Sequence, residues 1–366
     1  MPPFVNKTRS LAARAMQSRG AKRGVWALVD QGVVSLGNFA TTALMFRFLP
    51  RPYAATVGLF FEIILYLNSF QASLVTYPLT VRGASADEQR LKKLATVCLG
   101  FTVVMAPVLS VLMTIATFLV GHAHAASAAE AALKPTITLL NTAPFAVGAM
   151  LLWQAQETTR RALLSQFRYI TVIPGDAISY LGQATVFYLL ARHNQLTLDN
   201  ALLTMALTSA AAAILQAVQI GLARVAWADV KIIAKDFWSF GRWSLLSSMS
   251  SIFTDFSFNW LLAVLSLDAS AAFQVMGNLT KPCNIVINAI PNVATPAAAR
   301  AREHGGVKAG WRVAIKYIGL GAAVLSPYVV ILAIWPQFVM KILYRDHAAD
   351  YVQYAWVARV NIVALV

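Results

Sequence analysis

Residues 94–129 read LATVCLGFTVVMAPVLSVLMTIATFLVGHAHAASAA and contain no charged side chain. An α-helix needs about 20 apolar residues to cross the hydrocarbon core of a bilayer, so this run is long enough to span a membrane. Three other charge-free runs also exceed that length, at residues 135–156, 201–223 and 317–340. The sequence therefore predicts an all-α, polytopic membrane protein.

The composition agrees with this prediction. Of 366 residues, 58% are hydrophobic and 12% are charged, whereas about a quarter are charged in an ordinary soluble domain. Apolar stretches between turn and charge signals predict nine full spans and a partial tenth that starts near Tyr351. The centres of the nine spans lie near residues 37, 68, 107, 145, 180, 211, 254, 283 and 325.

The basic residues are distributed unequally between the two sides of the predicted bundle. The net charge is +15, and 22 of the 30 Lys and Arg residues fall on the side that carries the N-terminus, called the basic side below. Positively charged loops resist translocation, so this side is predicted to be cytoplasmic. The asymmetry explains the charge without a nucleic-acid partner. These residues lie within 7–23, 82–93, 160–168, 224–242 and 300–316.

The first 24 residues are basic and contain no acid, which indicates a cytoplasmic tail rather than an organelle transit peptide. No metal site is predicted. His122 and His124 have no third ligand nearby in the sequence, and Cys98 and Cys283 lie in separate apolar segments.

An internal repeat organises the chain. A shift of 217 residues superposes the first four spans on spans seven to ten, with Trp26 on Trp243 and Ala54 on Ala271. Six helices separate the copies, an even number, so both copies enter the membrane in the same orientation. The repeat predicts two six-helix lobes around a central cavity, related by a pseudo-two-fold axis along the membrane normal.

The repeat also sets the predicted domain boundaries. The N-lobe is 25–224, a basic linker is 225–240, and the C-lobe is 241–366, with three full helices and the start of a fourth. The second copy should end near residue 441 by the same offset, so the sequence predicts a C-lobe that lacks its last two or more helices. A natural ten-helix form is the alternative.

Polar residues line one face of the eighth span. Their arc covers about 120° on a helical wheel, and Pro282, Pro291 and Pro296 interrupt the helix. A cationic, amide-lined face suits an anionic, hydroxyl-rich cargo. The alternative is that such residues only join helices by hydrogen bonds. The predicted cargo-binding residues are Asn278, Lys281, Asn284, Asn288, Asn292 and, from the tenth span, Arg359.

Four acids also lie within predicted spans. Ionisable groups deep in a membrane usually mark a solute or ion route. They are candidates for coupling transport to a proton or sodium gradient, although pairing with Lys281 is the alternative. No cofactor is predicted. The four acids are Asp30, Glu62, Asp176 and Asp255.

Short motifs resemble those of bacterial polysaccharide flippases, the O-antigen translocase branch of the multidrug/oligosaccharidyl-lipid/polysaccharide exporter superfamily. The first span opens with Asp30-Gln31-Gly32, contains Asn38 and leaves through Arg47-Phe48-Leu49-Pro50 with Tyr53. The family pattern has glycine after the aromatic residue, where this chain has Ala54. The stretch from Phe240 to Arg300 is similar to the start of the family's second lobe.

The resemblance implies 12 to 14 helices and alternating access in a bacterial inner membrane. The implied cargo is an undecaprenyl-diphosphate-linked oligosaccharide moved to the outer leaflet, with Lys281 and Arg359 placed by location in its basic cavity. It also implies polysaccharide polymerase or glycosyltransferase partners and contact with membrane lipid. Arg47 matches the exit-turn arginine of the family.

Two alternative functions stay open. A multidrug or organic-cation antiporter of the same superfamily would use the intramembrane acids as its binding groups. A membrane glycan polymerase or ligase would need a large outward loop with acid and base residues. The longest outward loop here has only His122, His124, Glu130 and Lys134 as ionisable groups, so a transporter that makes or breaks no bond is favoured.

Overall fold

The computed structural model describes residues 19–126 and 139–365, and these ranges are helical apart from short connections. The side chains of Asp255 and of most residues between 284 and 300 lie outside the description. The predicted basic tail lies outside it as well, except for the backbone of residues 19–24. The all-α fold predicted from the sequence is confirmed.

Nine long helices occupy the described part of the chain, each near a predicted span. They are α1 Arg19–Phe48, α2 Arg51–Ala84, α3 Glu88–Ala126, α4 Leu139–Ser165, α5 169–192, α6 Leu198–Ile220, α7 Trp227–Leu265, α8 267–304 and α9 Gly305–Ile334. Gly306 has φ +71°, a backbone conformation that favours glycine, and this break separates α8 from α9.

Three short helices follow α9. They are α10 Pro336–Tyr344, α11 Ala348–Val352 and α12 Ala355–Leu365, the last at the predicted tenth span. We call α1–α6 the first lobe and α7–α12 the second lobe, following the sequence repeat. Residues 227–240, predicted as a linker, form the first turns of α7.

The helices have the properties of membrane spans. Four of them, α2, α3, α6 and α9, are long and apolar enough to cross a membrane by length and composition. Apolar side chains also cover the outside of the bundle, since Val104, Val218 and Val264 are each 75% exposed. An apolar exterior of this kind is typical of contact with lipid. The protein is a multi-pass membrane protein.

Two spans contain a stretch of π-helix, Ala72–Thr76 in α2 and Ala177–Gly182 in α5. Each lies within a few residues of a proline, Pro78 or Pro174. In α2, Pro78 donates no backbone hydrogen bond and its ring displaces the carbonyl one turn earlier, inside the π-helical stretch, so the helix widens there. In α5 the wider turn includes Ser179 and Tyr180, both buried.

At the basic end of the bundle, α2 and α7 join the two lobes. A Cβ at Gly241 would lie 2.6 Å from the Ser73 carbonyl oxygen, so the two helices meet backbone to backbone. Next to this contact, the rings of Tyr77 and Phe240 stack with their centroids 5.3 Å apart. We call this contact the α2–α7 seam.

Two exposed ion pairs extend the seam toward the basic side. Arg82 donates to both carboxylate oxygens of Asp236, at 2.8 and 2.6 Å, and Lys93 donates to Asp229 at 3.1 Å. Both pairs join the first lobe to the start of α7.

At the opposite end, α1 packs against the short helices of the second lobe. The buried rings of Phe46, Tyr344 and Tyr351 meet edge to face, with centroids 5.9 to 6.4 Å apart. Beside them, Arg51 forms an ion pair with Asp350 at 2.9 Å. The lobes are therefore in contact at both ends, and space remains between these contacts.

Candidate functional site

A cavity of about 530 Å³ lies between the two lobes. Helices α1, α2, α4, α5 and α6 line it from the first lobe, and α7 and α8 line it from the second. Its wall combines aromatic rings with polar side chains, as in cavities that bind amphiphilic solutes. The polar wall residues are Ser35, Asn38, Thr41, Thr42, Glu62, Gln183, Gln274 and Lys281.

Lys281 provides the positive charge of this wall. Its Nζ donates to Thr42 Oγ1 at 3.0 Å, across the boundary between α8 and α1. Among the described side chains, no carboxylate lies within 4 Å of its Nζ, although Glu62 on the same wall is close enough to interact with it electrostatically. An ammonium group has three N–H donors, so a neutral hydroxyl partner leaves donors for a further acceptor in the cavity. This arrangement suits an anionic group.

Glu62 provides the negative charge of the wall. Both of its carboxylate oxygens accept from Asn259 Nδ2, at 2.9 and 2.8 Å. Asn259 Oδ1 in turn accepts from Ser270 Oγ at 2.9 Å, and Gln274 Nε2 donates to that hydroxyl oxygen and to the Ala55 carbonyl, each at 3.2 Å. This chain of hydrogen bonds connects α2, α7 and α8, so it joins the lobes at the cavity wall.

A second charged group lies inside the first lobe, around Arg160. Its guanidinium donates to Asp30 at 2.9 Å and to Asp176 at 2.6 Å, and Glu157 lies 3.6 Å away. All four side chains are at most 7% exposed. We call these residues, with Arg161, the Arg160 cluster. Buried charges need such partners because desolvation penalises an unpaired ion.

Neutral side chains complete the coordination of Asp176. Its second oxygen, Oδ1, accepts from Gln156 Nε2 at 3.3 Å and from Gln216 Nε2 at 3.1 Å. Thr159 Oγ1 then donates to Gln216 Oε1 at 3.0 Å. Helices α4, α5 and α6 are thereby joined through one carboxylate.

The cluster contains one more acid than base. Asp30, Asp176 and Glu157 face Arg160 and Arg161, and Arg161 donates to Glu157 at 2.5 Å. Oδ1 of Asp30 is buried and has no hydrogen-bond partner among the described atoms. An excess carboxylate with an unused oxygen is suited to take up a proton or a small cation.

Tyr180 lies between the Arg160 cluster and the cavity. Its side chain lines the cavity, and it also interacts electrostatically with Arg160 and Asp176. The π-helical turn of α5 carries this tyrosine, and a Cβ on Gly37 of α1 would lie 2.6 Å from its Cβ. Close packing of α1 against α5 therefore sets the wall between the two charged regions.

The predicted site residues divide into several groups. Glu62 and Lys281 line the cavity, whereas Asp30 and Asp176 belong to the Arg160 cluster. For Asp176, pairing with Lys281 was the alternative left open by the sequence, and the structure pairs it with Arg160 instead. The side chains of Asp255, Asn284, Asn288 and Asn292 lie outside the described ones.

Two predicted cargo-binding residues lie away from the cavity. Asn278 is buried within the second lobe and its Nδ2 donates to the Tyr344 hydroxyl at 3.2 Å. Arg359 has an exposed side chain whose Nε donates to the Ala333 carbonyl at 3.0 Å. Both side chains take part in contacts within the second lobe.

Sequence reasoning missed several residues of these sites, among them Arg160, Glu157 and Gln274. Arg160 was assigned to a basic loop, but it lies inside α4 with only 5% of its side chain exposed. The first-lobe helices contained three acids and no assigned cation. This imbalance was the signal that could have identified Arg160. Gln274 was also missed, although it faces Gly58 of α2, where a Cβ would overlap its side chain.

Comparison by sequence finds no relative: no protein-family model matches the chain, and no curated protein matches it. Comparison by structure does find similar proteins.

An inward-facing multidrug resistance MATE family transporter of the MOP superfamily matches with a TM-score of 0.67 at 14% identity, over 90% of this chain and 78% of that one. An outward-facing MATE structure matches with a TM-score of 0.63 at 15% identity, over 94% and 78%.

A third match is a MOP superfamily transporter from Pyrococcus furiosus, whose description reports a binding pocket of reverse polarity and suggests a different function. Its TM-score is 0.61 at 16% identity, over 94% of this chain and 78% of that one. The chain has the fold of MOP superfamily transporters.

Proposed function

We propose that the protein is a transporter that moves a lipid-linked oligosaccharide across the bacterial inner membrane by alternating access. The observation that carries the proposal is Lys281, whose ammonium lies in the cavity between the lobes with a hydroxyl as its described partner. Such a group binds a phosphate or diphosphate by charge and hydrogen bonding. The amide and hydroxyl groups of the wall suit sugar hydroxyls.

The cavity lies at the boundary of the lobes, where relative motion would expose it to one side and then to the other. The basic side is taken as cytoplasmic, with the N-terminus on that side. The Arg160 cluster, which has one acid in excess, is the proposed site of proton or sodium coupling. Enzymes that build or polymerise the glycan are the expected partners.

A multidrug or organic-cation antiporter is the second candidate, and specific observations favour it. Two of the matched structures reported above are of multidrug MATE transporters, and the cavity contains the carboxylate of Glu62. A cationic drug would bind beside this carboxylate and the aromatic wall. The two candidates therefore assign the binding charge to different residues.

One experiment separates them. Proteoliposomes containing the full chain are assayed for translocation of a fluorescent polyprenyl-diphosphate oligosaccharide and, in parallel, for ethidium transport driven by a pH gradient. For the oligosaccharide carrier, Lys281→Gln lowers glycolipid translocation about tenfold or more, the effect of losing one charge-assisted hydrogen bond. Glu62→Gln has the smaller effect.

The control is Lys341→Gln, which removes one positive charge outside the cavity and leaves translocation unchanged. Ethidium transport that is lost in Glu62→Gln and kept in Lys281→Gln would establish the antiporter instead. Wild-type-like glycolipid translocation by Lys281→Gln would overturn the role assigned to Lys281.

A further inference from the structure

Three arginines converge on one pocket at the end of the bundle opposite the basic side. Arg47 lies at the end of α1, Arg192 at the end of α5, and Arg345 directly after α10. Together with Phe48 and Tyr188 they line a pocket of about 350 Å³. The first two arginines belong to the first lobe and the third belongs to the second.

The positive charges of this pocket are not balanced by described carboxylates. Arg47 lies over the Phe48 ring at 5.5 Å, and Arg192 lies over the Tyr188 ring at 5.9 Å and contacts its hydroxyl at 3.5 Å. None of the three arginines forms an ion pair within the described part of the chain. The rings position two guanidinium groups without neutralising them.

A neighbouring arginine shows the contrast. Arg51 lies at the same end and forms an ion pair with Asp350 at 2.9 Å, with Asp268 at 4.0 Å. These two acids therefore neutralise Arg51, whereas no described carboxylate forms an ion pair with the arginines of the pocket. Like charges that converge on one space repel each other, and a bound anion would remove this repulsion.

The backbone also holds one of the three arginines in an unfavourable conformation. Arg345 has φ +44°, in the left-handed region that non-glycine residues rarely adopt. Its neighbour Tyr344 packs against Phe46, the residue before Arg47. Strained backbone held by surrounding packing is a common feature of binding sites. The packing fixes Arg345 opposite the end of α1.

We propose that Arg47, Arg192 and Arg345 form a binding site for a phosphate-bearing anion at the end of the bundle opposite the basic side. Guanidinium groups present paired N–H donors that match phosphate oxygens, and a pocket of this volume accommodates a small ligand. Because both lobes contribute, the bound anion stabilises the arrangement in which the lobes are close at this end. The anion is a phospholipid headgroup or a free diphosphate.

Binding of inorganic pyrophosphate and retention of phosphatidylglycerol test the site with the full chain. Pyrophosphate binding is measured by calorimetry in phosphatidylcholine nanodiscs, and phosphatidylglycerol retention is measured by native mass spectrometry after delipidation. The variants are Arg192→Gln and Arg345→Gln, whose side chains are exposed, so both are expected to fold. Arg192→Lys keeps the charge without the paired donors, and Lys341→Gln is the matched loss of charge at the same end.

We expect both Gln variants to weaken binding of at least one probe by about tenfold, Arg192→Lys to weaken it less, and Lys341→Gln to leave it unchanged. Loss of pyrophosphate binding identifies a soluble diphosphate as ligand, and loss of phosphatidylglycerol retention alone identifies a lipid headgroup. Equal binding by the wild type, both Gln variants and Lys341→Gln would overturn the proposal. These readouts measure binding, so they are independent of the proposed transport function.

Discussion

Two groups of charged side chains lie within the membrane-spanning helices, and they differ in how their charges are balanced. In the Arg160 cluster, the guanidinium contacts Asp30 and Asp176 directly, and all of these side chains are almost fully buried. In the cavity, Lys281 and Glu62 each take a neutral hydrogen-bond partner. The charges of the cluster are in direct contact with one another, whereas Lys281 and Glu62 lie beside open space and form no direct ion pair in the described structure.

This difference in charge balance shows that the same types of charged residue have two different roles in this protein. Charges without water are stable only when opposite charges contact them, so the Arg160 cluster contributes to the packing of the first lobe. A lysine beside a cavity can keep its charge because the space admits water or a ligand. The position of a charged side chain relative to the cavity therefore indicates better than its residue type whether it is available to a cargo.

Removal of the central cation should produce the largest loss of stability. Arg160→Met leaves two buried carboxylates, Asp30 and Asp176, without their cation, whereas Glu157 keeps its ion pair with Arg161. We expect the free energy of unfolding to fall by about 3 to 5 kcal/mol. Unfolding in mixed detergent micelles measures this change. A loss below about 1 kcal/mol would show that the cluster is hydrated and that the contrast with the cavity is wrong.

The hydrogen bonds to Glu62 should contribute less. Asn259→Leu removes the donor to both carboxylate oxygens and the acceptor for Ser270, so we expect a loss of about 2 to 3 kcal/mol. Ser270→Ala is the matched control, because it leaves Glu62 paired, and it should cost about 1 kcal/mol. An additional effect of Asn259→Leu on transport would further distinguish the cavity from the Arg160 cluster, since Glu62 faces the cavity. Equal losses in the two variants would contradict the assigned role of Asn259.

An ion pair outside the spans provides a third comparison, with a dependence on pH. The hydrogen bond from Arg51 lowers the pKa of Asp350 below its ordinary value. A lowered carboxyl pKa stabilises the fold above the ordinary value of about 4, and this stabilisation is lost as the pH falls through the lowered pKa. Asp350 is 40% exposed, so solvent screening should limit the effect to less than about 1 kcal/mol.

The measurement is the difference in unfolding free energy between wild type and Asp350→Asn, taken at pH 7 and again near pH 3. The difference should be present at pH 7 and smaller at the lower pH. A difference that grows on acidification would have the wrong sign and would exclude Asp350 as the ionised partner of Arg51.

The smallest change in stability is expected at Lys281. Lys281→Met removes a partly buried charge whose described hydrogen bond is to Thr42, so the free energy of unfolding should change by less than about 1 kcal/mol in either direction. The same unfolding assay as for Arg160→Met provides the direct comparison. A loss as large as that of Arg160→Met would place Lys281 in a closed ionic network and remove the distinction between the two regions.

Much of the fold was predictable, because a span requires a long apolar helix and such helices are visible in the sequence. The run at 94–129 lies largely within α3, and the break near Gly306 falls between two predicted spans. Lys281 was predicted to line a cavity and Glu62 to mark a solute or ion route, and both line the cavity between the lobes. These predictions depend only on local composition and helical periodicity.

The remaining site residues depend on how far helices extend and how they rotate against one another. Arg160 looked like a loop residue because it precedes Arg161 near the end of a span, yet tertiary packing turns it inward toward Asp176. Asn278 shares a helical face with Lys281 but is covered by Tyr344 of α10. Sequence periodicity cannot show which neighbouring helix covers a polar residue. The sequence therefore could not distinguish the buried Asn278 from the cavity-lining Lys281.

The α2–α7 seam limits how the two lobes can move. Since Gly241 has no side chain, the lobes touch there through main-chain atoms, and that spacing cannot shrink further. If the lobes rotate about this contact, even a small rotation produces its largest displacement at the far end of the bundle. The far end is where Phe46 meets Tyr344 and Tyr351, and those edge-to-face rings would be the first contacts to separate.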